Sequence, residues 1–219
     1  MTARATQPRP AKPAPRTLRS TLTSPFGRKV RIAIEVLDLA GRIEVVPADT
    51  RDEGDSLRAQ NPLGKMPCLL LDDGTALYDS RVIIEYLDRW SGRDALLPAP
   101  ALTRAVAQTR AALADGIADA ALLMVYEGRF REPAQISQVW LAHQRGKVER
   151  GLAEMSANLP DANVTDIVSI SLACALGYLD WRKPVEWRGR YPALTGWLEA
   201  FAAHEPAFNA TRMPQEVTA

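Results

Sequence analysis

The sequence predicts two structural units, an α/β unit with a mixed four-stranded sheet followed by an all-helical unit. Up to about residue 91, short apolar runs alternate with amphipathic helix patterns, which is typical of a sheet with helices packed on it. Beyond residue 100 the apolar residues follow helical spacing, and no strand pattern is found there. A stretch rich in glycine and proline separates the two halves and is typical of a linker.

These observations divide the chain of 219 residues into four segments. Residues 1–16 combine repeated prolines with basic residues, a composition that cannot build a core, and we expect a disordered leader there. Residues 17–91 form the α/β unit, 92–100 the linker and 101–219 the helical unit.

The α/β unit begins with a strand-helix-strand pattern. A short strand over 17–22 is followed by Ser24 and Pro25, which start a helix because serine caps helices well and proline suits the first helical position. The apolar stripe of this helix ends at Leu39, and 43–47 form the second strand. A crossover of this kind requires the two strands to be parallel.

A hairpin and a second helix complete the unit. The turn-rich loop 61–65 leads into a buried strand over 67–71. Residues 72–74 signal a hairpin to a return strand over 75–78, and an amphipathic helix covers 79–90. A mixed four-stranded sheet with helices packed on it fits a thioredoxin-like domain. In the second unit we expect helices over about 102–128, 133–159, 164–179 and 192–204.

Composition and charge argue against several classes of function. The formal net charge of +1 gives no sign of a nucleic-acid partner, and no apolar run is long enough to span a membrane. Cys68 and Cys174 lack the spacing of a disulfide framework or a zinc site, and neither His143 nor His204 has a ligand pattern, so we expect no metal. The N-terminus lacks the apolar core of a secretory signal, which predicts a cytoplasmic protein.

Ser24 is the first candidate for chemistry. A hydroxyl at a helix N-terminus lies beside unpaired backbone N–H groups and the positive end of the helix dipole, where an anion is favoured. A thiolate brought to this point would be stabilised and the pKa of its thiol lowered. The neighbouring hydroxyl of Thr23 is an alternative, and Ser24 alone is equally consistent with a plain helix cap.

Two further segments offer groups to a peptide ligand. A cis bond between Met66 and Pro67 would expose the backbone of Met66, so that a ligand could add like a short strand; the alternative is a trans proline entering an edge strand. Asp79 offers a carboxylate to an ammonium group, while Ser80 and the following N–H groups offer donors to a carboxylate. Alone, this pair is also consistent with an ordinary capped helix start.

The order and spacing of the three segments closely resemble the N-terminal domain of bacterial, serine-type cytosolic glutathione S-transferases. The residues that carry the resemblance are Ser24-Pro25-Phe26, Asn61-Pro62-Leu63-Gly64-Lys65-Met66-Pro67 and Asp79-Ser80. The resemblance covers about residues 17–208. Within the helical unit, residues 163–166 resemble the family's capping box, with Asp166 at the third helical position.

The resemblance implies a binding site for glutathione as co-substrate, without a metal. Ser24 would hydrogen-bond the glutathione sulfur and favour its thiolate. The backbone of Met66, beside a cis Pro67, would pair with the cysteinyl unit. The charged ends of the tripeptide would be held by Lys65 at a carboxylate, Asp79 at the γ-glutamyl ammonium group and Ser80 at the γ-glutamyl carboxylate.

The function implied by the resemblance is conjugation of the glutathione thiolate to small, mostly apolar electrophiles, as in detoxification, by a homodimer. Met124, Tyr126 and Phe130 would line the pocket for the electrophile. Redox-active relatives place a cysteine where Ser24 stands, which argues against mixed-disulfide chemistry. Two alternatives remain open: a non-catalytic glutathione-binding or protein-interaction protein on the same fold, and another glutathione-dependent activity such as an isomerase, dehalogenase or peroxidase.

Overall fold

The computed structural model describes residues 13–213, which form a sheet with flanking helices followed by a helical bundle. The strands are β1 (Pro15–Ser20), β2 (Glu44–Pro47), β3 (Cys68–Leu71) and β4 (Ala76–Leu77). The helices are α1 (Pro25–Val36), α2 (Leu57–Gln60), α3 (Ser80–Ser91), α4 (Ala101–Phe130), α5 (Gln138–Ala157), α6 (Ile167–Arg182), α7 (Pro192–His204) and α8 (Pro206–Ala210), with a 3-10 turn at Pro133–Gln135.

The four strands lie in the order β2-β1-β3-β4. β1 and β2 are parallel and joined through α1, whereas β1 pairs antiparallel with β3, and β3 with β4. This mixed sheet, followed by helices α4 to α8, confirms the predicted fold class.

The first strand begins earlier than the sequence pattern suggested. Pro15 pairs with Leu71 on β3, and the backbone N–H of Ala14 donates to Asp72 Oδ1 at 2.9 Å. Pro15 and Arg16, which we assigned to the leader, therefore belong to the sheet. Proline is compatible with this position because it is the first residue of the strand. Residues 1–12 of the expected leader lie outside the described residues.

The start of α6 corrects another expectation. Asp166 is the N-cap of this helix and not its third residue, and its carboxylate accepts from the N–H groups of Val168 and Ser169. Ser169 Oγ in turn accepts from the N–H of Asp166 at 2.9 Å, which completes a reciprocal capping box. A capping box is therefore present, but it is centred three residues later than the resemblance suggested.

One continuous hydrophobic core joins the sheet to the helical bundle. It includes Leu18 on β1, Val30 on α1, Ala118 on α4 and Leu172 on α6, each at most 3% exposed. A smaller cluster of Ala48, Leu57 and Cys68, with Met66 packed against it, lies apart from this core. Because α1 packs on both α3 and α6, the N-terminus of α1 is held between the two halves of the protein.

The turn between the two halves is fixed by a buried carboxylate. Asp88, on α3, is 1% exposed and accepts three backbone hydrogen bonds, from Ala95 at 2.7 Å and from Leu96 and Leu97 at 3.1 Å each. Hydrogen bonds to a charged acceptor are stronger than neutral ones. The start of the linker is therefore tied to α3, which fixes where α4 begins.

Candidate functional site

The strand register brings the three sequence segments to one end of the sheet. Arg19 on β1 is opposite Cys68 on β3, so the loop that leaves β1 towards Ser24 starts beside Pro67. β3 and β4 are antiparallel, with Leu69 opposite Leu77, so the chain leaving β4 reaches α3 at the same end. The N-termini of α1 and α3 and the loop before β3 therefore border a common site.

Ser24 is the N-cap of α1 and is half-buried. Its Oγ accepts a hydrogen bond from the N–H of Gly27 at 3.0 Å. Because the oxygen acts there as acceptor, its own hydrogen remains available to donate to an anion at the helix terminus. The exposed hydroxyl of Thr23 is instead 3.1 Å from that of Thr21. The capping geometry therefore distinguishes the two hydroxyls that the sequence left as alternatives.

The loop before β3 is ordered by a buried asparagine. Asn61 is 2% exposed; its side chain donates to the carbonyl of Lys65 at 2.7 Å and accepts from the N–H of Leu63 at 3.1 Å. The loop turns at Gly64, whose φ of 59° is the left-handed conformation that glycine adopts readily. The Met66–Pro67 bond that follows is cis. The sequence analysis gave Asn61 no role of its own, although an asparagine ahead of a Pro-Leu-Gly turn is a usable signal.

The start of α3 presents the second helix terminus. Asp79 is its N-cap, with a carboxylate oxygen accepting from the N–H of Arg81 at 3.0 Å, and its side chain remains more than half exposed. Ser80 is 2% exposed and occupies the first turn. A carboxylate and a hydroxyl at one helix N-terminus can accept from an ammonium group and donate to a carboxylate, respectively.

Behind this helix terminus lies a chain of charges that joins the sheet unit to the helical bundle. Lys29 on α1 donates to Asp115 Oδ1 on α4 at 2.6 Å, and both side chains are almost fully buried. The other oxygen of Asp115 is 3.2 Å from Arg81 Nε on α3, and the same Nε lies 3.8 Å from Asp79. Asp79 is therefore linked through Arg81 and Asp115 to the ion pair that joins α1 to α4.

Asp119, one turn further along α4, faces the same charges. Desolvation and the negative charge of Asp115 raise the pKa of its carboxyl group, while Arg81 and Lys65 act in the opposite direction. Asp115 is thus a buried ion-pair partner, whereas Asp119 is exposed.

The comparisons with known proteins agree with this geometry. The N-terminal domain model of glutathione S-transferases matches residues 23–90, and the C-terminal domain model matches 138–200. An uncharacterised GST-like protein of Escherichia coli strain K12, YibF, is 34% identical over 198 residues, or 88% of this chain and 96% of that protein. The chain belongs to the glutathione S-transferase family. A probable glutathione S-transferase of rice, GSTU6, is 28% identical and covers 84% of this chain and 83% of that protein.

Solved structures of other glutathione S-transferases have the same fold. A family member from Pseudomonas fluorescens Pf-5, crystallised with bound glutathione, superposes with a TM-score of 0.85 at 40% identity, over 90% of this chain and 98% of that one. A glutathione S-transferase from Methylobacillus flagellatus KT, also with glutathione bound, gives a TM-score of 0.82 at 34% identity, over 90% and 99%.

The residues expected to line the second-substrate pocket of this glutathione S-transferase family member differ in their surroundings. Met124 is 8% exposed and lies in the main core. Tyr126 is half-buried and Phe130 is 66% exposed, with their rings edge-to-face at a centroid distance of 5.2 Å. Tyr126 follows Asp119 by seven residues, close to two helical turns, and so shares a face with it. The two aromatic rings thus continue the face of α4 that carries Asp119.

Both cysteines are buried and free, as expected for core residues. Burial raises the pKa of the Cys68 thiol, and burial raises the pKa of the Cys174 thiol to about 11. Within residues 13–213, no group of three or more histidine, cysteine, aspartate or glutamate residues could hold a metal ion. No helix of the described chain is long and apolar enough to cross a membrane.

We expect both thiols of the folded protein to resist an aromatic disulfide reagent at about pH 8 and to react fully after denaturation. The folded pKa of Cys174 exceeds its ordinary value of 9.0, so the unfolded chain loses this proton first as the pH rises. Its contribution to stability is therefore complete below pH 9 and declines as the pH rises from 9 towards 11. Rapid labelling of either thiol in the folded protein would contradict this account.

Proposed function

We propose that the protein is a glutathione transferase in which Ser24 stabilises the thiolate of bound glutathione. The observation that carries this proposal is the cap of α1, where Ser24 Oγ accepts from the N–H of Gly27 and keeps its own hydrogen for a donor role. A thiolate placed there would accept from the hydroxyl and lie at the positive end of the helix dipole. Both effects lower the pKa of the thiol and increase the nucleophile present at neutral pH.

The remaining groups of the site suit the rest of the tripeptide. We assign the cysteinyl backbone to Met66 beside cis Pro67, where an extended ligand can pair as a short strand. Lys65, whose side chain is exposed, supplies a cation for a carboxylate, and Asp79 with Ser80 takes the γ-glutamyl group. The glutathione-bound relatives, at 40% and 34% identity, support glutathione as the ligand of this site.

The reaction that follows is addition or substitution at carbon. The thiol proton passes to solvent when glutathione ionises. The sulfur then forms a bond to an electrophilic carbon, and either a leaving group departs with its bonding electrons or the adjacent atom of an activated double bond accepts a proton. Ser24 acts by holding the nucleophilic sulfur as an anion in position, so its effect falls on the chemical step.

We place the electrophile against the face of α4 that carries Tyr126 and Phe130. Their rings offer an apolar surface, of which Phe130 is two-thirds exposed. Met124, the third residue that the sequence assigned to this pocket, lies in the main core. The Pseudomonas fluorescens Pf-5 relative has also been crystallised with bound S-(propanoic acid)-glutathione, a glutathione thioether, which supports an S-conjugate of glutathione as a ligand of this fold.

We also propose a homodimer formed through the neighbouring faces of α3 and α4. These helices are linked by the ion pair of Glu85 and Arg104 at 2.5 Å. Beside it, Val82, Leu102 and Val106 are 49%, 78% and 51% exposed, an unusual concentration of apolar side chains in water. A second copy of the chain would bury them.

The proposal is tested by measuring glutathione binding calorimetrically and conjugation with a chromogenic aryl halide. We expect binding together with turnover that saturates in both substrates. Binding without turnover towards a panel of aryl halides, enals and epoxides would instead indicate a non-catalytic glutathione-binding protein.

A further inference from the structure

Gly27 lies in a helix, where the backbone conformation can be adopted by any residue. It is the third residue of α1, it is buried, and its φ is not positive. A glycine inside a helix is destabilising relative to alanine, so its presence needs another reason. The reason is space: a Cβ at this position would lie 2.0 Å from Ser20 Oγ, a distance that non-bonded atoms cannot adopt.

The backbone of Ser20 is held in place by the sheet. Ser20 is 1% exposed and is the last residue of β1, where its carbonyl accepts from the N–H of Ala48 at 3.1 Å. Rotating its hydroxyl would remove the 2.0 Å contact, but its Cβ would still lie 3.3 Å from a Cβ at Gly27. A side chain at 27 would also approach the Cβ of Ser24 at 3.3 Å. A side chain at 27 therefore requires Ser20 Oγ to leave its present rotamer and the first turn of α1 to shift from β1 by a few tenths of an ångström.

That movement would act directly on Ser24. Ser24 Oγ caps the helix by accepting from the N–H of Gly27, so a shift of Gly27 also moves the Ser24 hydroxyl. We infer that the close fit of Ser20 against Gly27 sets the position of the Ser24 hydroxyl over the sheet, which makes Gly27 and Ser20 positioning residues for the thiolate. This inference rests on the proposed function, because a displaced Ser24 hydroxyl would change the pKa of the thiol of bound glutathione.

The experiment is a double-mutant cycle of Gly27→Ala and Ser20→Gly, with Gly116→Ala as the matched control. Gly116 is a helical glycine with no atom within 4 Å of an added Cβ. Each variant is assayed for melting temperature, for kcat and KM, and for the pKa of the bound glutathione thiol from its ultraviolet absorbance. The thiol pKa is the decisive readout, because a merely structural effect would lower the melting temperature without changing it.

We expect Gly27→Ala to lower kcat/KM by roughly tenfold to a hundredfold, mainly through kcat, and to raise the bound thiol pKa. In the Ser20→Gly background the same substitution should cost less than about threefold, since the opposing side chain is gone. Gly116→Ala should match wild type in kcat, KM and thiol pKa, and should melt at the same or a higher temperature, because alanine replaces a helical glycine in open space. If Gly27→Ala does not fold, recovery of a folded, active double variant is the expected result, and an equally unfolded double variant overturns the inference.

The two proposals fail in different ways. Wild-type protein that binds no glutathione, or leaves its thiol pKa unshifted, contradicts the proposed function. In that case the melting temperatures of the Gly27→Ala and Ser20→Gly variants and of the double variant still test the contact between Ser20 and Gly27. Wild-type protein that activates glutathione, with Gly27→Ala equally active, refutes the positioning role alone. So does a loss of activity in Gly27→Ala that Ser20→Gly fails to relieve.

Discussion

Replacing Ser24 with alanine is expected to lower kcat by about a hundredfold, the usual effect of losing one donor to a developing or resident anion. The affinity for glutathione should change by less than about threefold, because in the proposed site the tripeptide is held mainly by its backbone and charged ends. The pH profile of kcat at saturating glutathione should shift to higher pH as the bound thiol loses its donor. Steady-state kinetics with varied glutathione, repeated across pH, separate these effects.

Two further variants isolate the hydroxyl from the helix cap. Ser24→Ala also removes the cap from α1 and should lower stability by about 1 kcal/mol. Ser24→Asp keeps a capping oxygen and the stability of the helix but places a negative charge against the thiolate, so it should also be inactive. Thr23→Ala should retain activity, since its hydroxyl pairs with Thr21. Equal losses from Thr23→Ala and Ser24→Ala would show that the donor is not Ser24 alone.

The second large effect is expected at Lys29. The variant Lys29→Met leaves Asp115 buried without its closest cation, and breaking a buried pair by removing one partner costs about 3–5 kcal/mol. Arg81, 3.2 Å from the other oxygen of Asp115, places the expected loss at the lower end of this range. In the variant, Arg81 would remain as the only cation within 4 Å of Asp115 among the described residues. Urea unfolding followed by circular dichroism measures the change in the free energy of unfolding.

The control is the double variant Lys29→Met with Asp115→Leu. It replaces both charges by apolar groups of similar volume, a change that is often neutral for a buried pair. We expect it to recover most of the lost stability. A single Lys29→Met variant as stable as wild type would show that Asp115 is compensated by other means and that the ion pair does not hold α1 to α4.

The part of the fold that the sequence predicted is the part governed by local rules. Ser24 and Pro25 marked the start of α1 because a hydroxyl cap and a fixed proline φ act within one turn. Proline at the first position likewise marked α7, which begins at Pro192 as expected. Asp166 was misplaced by three residues because Asn163, Thr165 and Asp166 are all competent caps, and packing of the helix decides between them.

The contacts that connect the site to the helical bundle could not be read from the sequence. Lys29 and Asp115 are 86 residues apart, and a lysine within the apolar stripe of α1 has no local signature of a buried partner. The fit of Gly27 against Ser20 depends likewise on the approach of α1 to β1, a distance that no residue pattern encodes. The ends of the elements could be predicted, whereas the non-local contacts that set their spacing could not.

The most direct test of thiolate stabilisation is an ultraviolet titration of glutathione bound to the wild-type protein, with Ser24→Ala beside it. The account predicts a bound thiol pKa about two units below that of free glutathione in the wild type, equivalent to about 2.7 kcal/mol, and a return towards the free value in the variant. A wild-type thiol that titrates like free glutathione would contradict the central claim, even if glutathione binds tightly.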